Sequence, residues 1–223
     1  MTELQCGSFK SKRQGTTRRM DRLFEPAYLG LPLVFDTSAI INLNGTGVAG
    51  AILARLQRRV VVTSVVTGEL EAGVAKGRSD HPQFIDLVAR KIVSVEDLSV
   101  AAQTTFQDLV TGSAIETLDD GEAATLAHAL ELGAVAVIDE KKAKRIAGER
   151  FPSLSILTTT DLLHHPEMEK HLGRESLADA VFAALTVARM QVPPAHLQWV
   201  RDLLGARVNQ CPSLPRSSRQ TVR

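Results

Sequence analysis

The stretch 33-LVFDTSAIINL-43 decides how this chain is to be read. Leu31 to Phe35 is a short apolar run without polar alternation, as a strand buried on both faces of a parallel sheet requires. It stops at Asp36, and 37-TSAIINL-43 then begins a helix. A carboxylate at that junction has two uses. It can cap the helix, or it can ligate a cation at the lip of a parallel sheet, where open α/β sheets bind their ligands. The second use needs acidic partners at comparable positions further along the chain.

The junction recurs. Strand 134-AVAVID-139 is apolar until its final Asp139 and is followed by helix 140-EKKAKRIAGER-150. Between these two units, 59-RVVVT-63 reads as a strand, and Ser64 as the N-cap of a helix over 65–77. Further helices are expected over 50–56, 82–91 and 99–110, with 92-IVSVEDL-98 as an edge strand. Helix 122-EAATLAHALELG-133 is the clearest, with an apolar stripe through Leu126, Ala127 and Leu130 and a closing Gly133. The segment 153-SLSILTT-159 supplies another strand. Short apolar runs alternating with helices define an α/β fold with a mostly parallel central sheet and helices on both faces. The Gly-rich 45-GTGVAG-50 is a break; it lacks the Gly-Lys-Ser/Thr ending of a phosphate-binding loop.

The expected organisation is a basic, flexible N-terminal tail over 1–29, the α/β domain over 30–160, a helical C-terminal extension over 161–205 and a basic flexible tail over 206–223. Helices near 175–190 and 194–204 make the extension. There Phe182, Leu185, Trp199 and Leu203 form a satellite core, a dock on the main domain or a dimer face. Residues 1–30 carry six Lys/Arg against three acids, and 205–223 four Arg and no acid, so the body between is acidic. Aromatics at 4% leave no obvious platform for stacking bases. Cys6 and Cys211 have no Cys or His at zinc-ligand spacing, and a reducing cytoplasm is the expected compartment. No apolar run has the length of a membrane span, so no membrane association is expected.

Four carboxylates fall where one site could be built. Asp36 and Asp139 end strands, Glu69 lies in the first turns of the helix after the second strand, and Glu122 opens the Ala-rich helix. Each has an ordinary alternative as a cap or a solvated side chain; Glu122 stands three residues after Asp119, the spacing of a capping box. If they converge they call for a cation, because two like charges about 4 Å apart repel by roughly 4 kcal/mol at an effective dielectric near 20. Mg²⁺ or Mn²⁺ favours such oxygen donors, and the chemistry implied is phosphodiester hydrolysis.

The segments 35-FDTSAI-40, 66-VTGELEAG-73, 119-DDGEAATLAHALELGA-134 and 137-VIDEKKAKRIA-147 resemble the successive motifs of PIN-domain proteins, notably the subgroup with a Gly-Glu-Ala third motif. The resemblance covers about residues 32–160 and implies a Rossmann-like fold, an acidic cluster binding Mg²⁺ or Mn²⁺, and ribonuclease activity, including that of toxins in toxin–antitoxin pairs. It implies catalytic and metal-ligating roles for Asp36, Glu69, Glu122 and Asp139. Asp120 is the alternative third ligand if Glu122 only caps its helix. Thr37 and Ser38 match the small polar pair after the first Asp and would orient it or a bound water. Where the toxins have Thr or Ser before their fourth-motif Asp, this chain has Ile138.

Lys141, Lys142, Lys144 and Arg145 lie beside Asp139 in sequence and would guide a phosphate backbone, or simply form a solvated helix face. The histidines show no partner in the sequence pattern. The leading expectation is a metal-dependent ribonuclease, with single-stranded DNA as a second substrate and with an antitoxin-like protein or a second copy of the chain as partner. The alternative is a non-catalytic nucleic-acid-binding or regulatory module of the same fold. A phosphatase of the haloacid-dehalogenase type fits poorly, because 36-DTS-38 lacks that class's second Asp.

Overall fold

The structure, a computed structural model, describes residues 30–219. Residues 1–29, where the basic N-terminal tail and Cys6 were expected, lie outside the described residues. Five strands, β1 (Leu33–Phe35), β2 (Val60–Thr63), β3 (Ser94–Glu96), β4 (Val135–Val137) and β5 (Ser155–Leu157), form one sheet in the order β3-β2-β1-β4-β5. All four pairings are parallel. Every residue of β1, β2 and β4 is buried, which is why these runs are continuously apolar. β3 lies at an edge, as its mixed composition suggested.

Helices cover both faces. On one, Val34, Val61 and Ala136 meet an apolar layer from α5 (Val100–Val110), α6 (Asp120–Leu132) and α7 (Lys141–Arg150). Strand alternation sends the neighbouring side chains, such as Phe35 and Val62, to the other face. Burying a side chain of that size stabilises by about 1.5–3 kcal/mol. The remaining helices of the α/β unit are α1 (Thr37–Gly45), α2 (Ala49–Arg55), α3 (Ser64–Val74) and α4 (Asp80–Ala89). α6 ends at Gly133 in the left-handed region (φ 57°), as its closing glycine indicated.

The connections fix where a site can form. From β1 the chain moves outward through β2 to β3, then returns across the sheet to β4 on the other side of β1. The strand order therefore reverses between β1 and β4, and the crevice beyond their carboxyl ends is the place where such sheets bind ligands. Phe35 is in register with Val137, so Asp36 and Asp139 leave the sheet side by side.

Several local expectations needed correction. Thr63, not Ser64, caps α3: its hydroxyl accepts the Val66 N–H at 3.4 Å. α6 starts at Asp120, two residues early. Two short helices, α8 (Thr159–His164) and α9 (Pro166–Leu172), open the helical extension, where no separate helix had been placed. α10 (Arg174–Thr186) is followed by a 3-10 turn, Pro194–His196, and α11 (Leu197–Leu204). Beyond Gly205, where a loose tail was expected, Val208, Cys211 and Leu214 are buried, so the chain stays packed at least to Leu214.

The extension docks on the chain's own body: α10 packs against α1, and Leu185 and Leu203 are buried. Trp199 stacks on His164 at 4.5 Å, and the Arg207 guanidinium lies over the Phe182 ring. No single helix among the described residues is long and apolar enough to cross a membrane.

Candidate functional site

Asp36 follows the last residue of β1 and is the N-cap of α1. Its Oδ1 accepts the Ala39 N–H at 2.7 Å and its Oδ2 accepts the Ser38 hydroxyl at 2.8 Å. The cap and the site are therefore not alternatives: one carboxylate caps the helix and still faces the crevice. It is only 1% exposed.

Asp139, 8% exposed, is held more firmly. Its Oδ1 accepts the Thr159 N–H at 2.8 Å; its Oδ2 accepts the Thr159 hydroxyl and the Asn42 amide, both at 2.6 Å. Asn42 comes from α1 and Thr159 from the start of α8, so the carboxylate joins three parts of the chain. Lys144 reaches back from α7 to give its ammonium to the Asp139 carbonyl at 2.8 Å.

Glu69, in the second turn of α3, spans two helix starts. Its Oε1 accepts the Gly121 N–H of α6 at 2.8 Å, and its Oε2 accepts the Thr37 hydroxyl of α1. A carboxylate set against the N-terminus of a helix is favoured by the helix dipole. The approach leaves no room at Gly121, where a Cβ would stand 2.4 Å from Glu69 Oε2 and 2.8 Å from Thr37 Oγ1. Glu122 is half-buried at the opening of α6 and accepts the Asp119 backbone N–H, one half of the expected capping box.

These groups line one cleft of about 340 Å³ together with Asp119 and Glu140. Asp36, Thr37, Ser38, Glu69, Glu122 and Asp139 are thus brought together. Asp120 is exposed and is not among the lining residues. Nor are Lys141, Lys142, Lys144 and Arg145. Arg145 is engaged by Glu149 at 2.8 Å and by the Ile115 carbonyl at 2.9 Å, and Lys141 is exposed.

The electrostatics of the cleft are those of crowded carboxylates. Burial, then the charge of Asp139, raises the pKa of Asp36 well above the ordinary range, against the pull of its bonds from Ala39 and Ser38. Burial also raises Asp139, although Thr159, Asn42 and Lys144 oppose it. Glu122 is pushed up to about 7 by burial and then by Asp119. Burial lowers the pKa of Lys144 despite the acids around it. Such shifts concentrate where a protein holds charges that an external ligand completes.

The donors suit a hard divalent cation in kind, since Mg²⁺ and Mn²⁺ take carboxylate oxygens and water. They are not a ready-made cage. Among the described residues no three His, Cys, Asp or Glu side chains are gathered to hold an ion as they stand. The internal hydrogen bonds give the reason: Glu69 and Asp139 are each turned toward protein donors, although every carboxylate oxygen keeps lone pairs beyond those bonds.

Sequence reasoning missed Asn42, Thr159 and the role of Gly121. One signal was available for Asn42: it lies four residues after Ser38 and so on the same helix face. Thr159 carried no signal, because its partner Asp139 lies twenty residues earlier in the chain. The cleft also has two arginines on its rim, Arg78 and Arg189, from segments to which no site role had been given.

Residues 32–205 match the family model described as DUF3368: PIN domain, and the chain belongs to that family. The match extends through the C-terminal helices, beyond the four acidic motifs. Membership supports a nuclease-type role in general. No curated protein matches the chain. Among solved structures it is similar to the crystal structure of VapBC2 from Rickettsia felis bound to a DNA fragment from their promoter. That similarity has a TM-score of 0.42 and 19% identity, over 57% of this chain and 98% of the other.

Proposed function

We infer that this chain is a divalent-metal-dependent nuclease, with RNA as its principal substrate, that hydrolyses phosphodiester bonds in the acidic cleft. The observation that carries the reading is the pair Asp36 and Asp139, buried at neighbouring strand ends on either side of the point where strand order reverses. Glu69 and Glu122 lie in the same cleft. Among the described residues none of these four carboxylates is in an ion pair with a cationic side chain, and the raised proton affinities of Asp36 and Glu122 express that deficit.

Asp36 and Asp139 would hold Mg²⁺ or Mn²⁺, with Glu69 and Glu122 completing the set. When bound, the ion supplies acidification of a water and neutralisation of charge growing on the phosphoryl group. The chain's own residues do the rest. Ser38 and the Ala39 N–H hold the Asp36 carboxylate in place. Asn42 and Thr159 orient Asp139, and Thr37 and Gly121 orient Glu69. A toxin-like role with a small antitoxin protein as partner belongs to the same reading and is supported by the motif resemblance.

The test compares purified wild type and Asp36→Asn on RNA and single-stranded DNA, with Mg²⁺, Mn²⁺ or EDTA. Cleavage by wild type that needs the divalent ion and disappears in Asp36→Asn is the expected result. Cleavage by both proteins in EDTA would remove the acidic cleft from the chemistry. A second reading, a nucleic-acid-binding module without catalysis, is favoured by the absence of a ready-made ligand cage among the described residues. It predicts equal binding by the two proteins and no cleavage by either.

A further inference from the structure

A cleft walled by carboxylates repels phosphate unless cations offset that charge. Two arginines stand on its rim. Arg78 and Arg189 line the acidic cleft, and both also line an adjoining cleft of about 430 Å³, as do Ile41 and Ala188. They therefore mark the boundary between the two clefts. The second has a mixed lining, with Asn44, Ser79, Asp80 and Gln83 beside Ile41, Ala183 and Val187. The rim arginines share the cleft with acids, yet neither forms an ion pair with any described residue, unlike Arg55, Arg59 and Arg207 elsewhere.

Both are anchored by their surroundings. The stem of Arg78 lies across α3, where a Cβ at Gly73 would stand 3.3 Å from Arg78 Cδ. Arg189 sits in the turn after α10 between two fixed neighbours. On one side Ala188 presses on α1 at Gly45, whose absent Cβ would be 2.6 Å from the Ala188 Cβ. On the other, Met190 is 1% exposed and its N–H bonds the Ala184 carbonyl at 3.0 Å. The backbone of Arg189 is left-handed (φ 56°), as at Gln57 and Lys91, a conformation that favours glycine.

We propose that Arg78 and Arg189 form a phosphate clamp between the two clefts, gripping the nucleic-acid backbone next to the bond cleaved in the acidic cleft and passing the strand into the adjoining one. The clamp rests on the nuclease reading for its position relative to the cleaved bond, but its binding is measurable without catalysis. A guanidinium fork suits phosphate oxygens, and two of them lining the same cleft as the carboxylates would fix the strand's register without reading its sequence.

The experiment uses the full chain and a short fluorescein-labelled single-stranded RNA, followed by fluorescence anisotropy in EDTA over a range of salt. The variants are Arg189→Gly, Arg78→Gln and the double replacement. Each single variant should bind about tenfold more weakly, as expected for loss of a charge-assisted contact. Each should also reduce the slope of log affinity against log salt by about 0.7. Arg189→Gly relieves the left-handed backbone, so its melting temperature should equal or exceed that of wild type, which separates lost binding from lost folding. With Mg²⁺ or Mn²⁺ present, KM should rise more than kcat falls.

Affinities and salt slopes equal to wild type in all three variants would overturn the clamp, as would an absence of RNA binding by wild type. Failure of the nuclease reading looks different: Asp36→Asn would cleave as wild type does, or wild type would not cleave at all, while the anisotropy still distinguishes the arginine variants. Equal weakening towards single-stranded DNA would support a contact made to phosphate.

Discussion

Asp139 and Asp161 lie near one another, one beyond the end of β4 and the other in α8 just after β5, and each accepts several short hydrogen bonds. Their proton affinities nevertheless move in opposite directions. Burial raises Asp139 in spite of Asn42 and Thr159, and the neighbouring acid Asp36 feels its charge. Burial also works against the charge on Asp161. There the His196 ring at 2.8 Å and the Thr158 hydroxyl and N–H win, and its pKa falls below the ordinary value. Neutral donors orient a carboxylate without neutralising it, whereas an imidazole can do both. Asp161 is complete within the fold and closes the capping box of α8. Asp139 is oriented and left for a ligand to complete.

The sharpest way to break this contrast is to remove each charge in turn. Asp139→Asn should lower divalent-dependent cleavage more than about a hundredfold, beyond the loss typical of groups that only support a ligand. In EDTA its melting temperature should hold or fall only slightly, since a charged group that burial opposes is gone. Asp161→Asn should do the reverse. It loses a charged partner for His196 and half a capping box, so stability should drop by about 1–2 kcal/mol, with cleavage retained at permissive temperature. Thermal melts and initial rates on the same preparations decide it. Equal damage to activity from both would mean that Asp161 is not confined to the fold.

Gly121→Ala tests the third wall of the cleft with a single methyl group. The new Cβ would fall at 2.4 Å from Glu69 Oε2, so Glu69 or the first turn of α6 must move. Forced overpacking of this kind costs about 1–3 kcal/mol. Displacing a positioned carboxylate should lower activity by about ten- to a hundredfold. Wild-type activity in this variant would show that Glu69 contributes nothing that depends on its position.

Divalent ions should stabilise the protein in a pH-dependent way. Glu122 and Asp36 have raised folded-state pKa values, so their contribution to the metal-free protein is greatest at low pH and is lost as pH rises, for Glu122 through about 7. Above that point the cleft holds unneutralised charge. Adding Mg²⁺ should therefore raise the melting temperature by several degrees at pH 8 and much less at pH 5, where Glu122 keeps its proton. A pH-independent increment would place ion binding elsewhere.

What was legible in the sequence follows from the range of the forces involved. β1, β4 and α6 declare themselves because burial on both faces, or along one stripe, writes a local period into the chain. Asp36 and Asp139 follow from those strands, since a site at strand ends needs only the position of each end. Asn42 is unreadable as a partner of Asp139 because 97 residues separate them. α8 and α9 escaped because the kink at Pro166 divides 161-DLLHHPEMEKHLG-173 into pieces of about two turns, too short for an apolar stripe to repeat. The burial of Val208, Cys211 and Leu214 is carried by single residues spaced three apart in an otherwise polar, basic run, where composition outweighs pattern. The two rim arginines belong to connecting segments, Arg78 between α3 and α4 and Arg189 after α10, where no pattern marks a side chain that reaches the cleft.

The smallest effect concerns the side of the contrast that the fold completes. His164 Nδ1 meets His196 Nδ1 at 2.9 Å, and His196 Nε2 meets Asp161. With Nε2 of His196 donating to the carboxylate, the two Nδ1 atoms share one hydrogen between them, so protonation of both rings breaks the chain. Burial, then the charge of His196, holds the pKa of His164 below its ordinary value of 6.5, against the pull of Asp161. A histidine with a depressed folded-state pKa contributes stability above its unfolded value, and that contribution is lost as pH falls through the folded one. His164→Phe keeps a ring to stack on Trp199 and removes the titration. Glu122 changes stability in the opposite direction over part of the same window, so the readout is the difference between wild type and variant. Relative to His164→Phe, wild type should lose a few degrees of melting temperature between about pH 6.5 and pH 5. A constant difference across that window would mean that the histidine pair keeps its link when charged and that Asp161 alone holds the extension to α8.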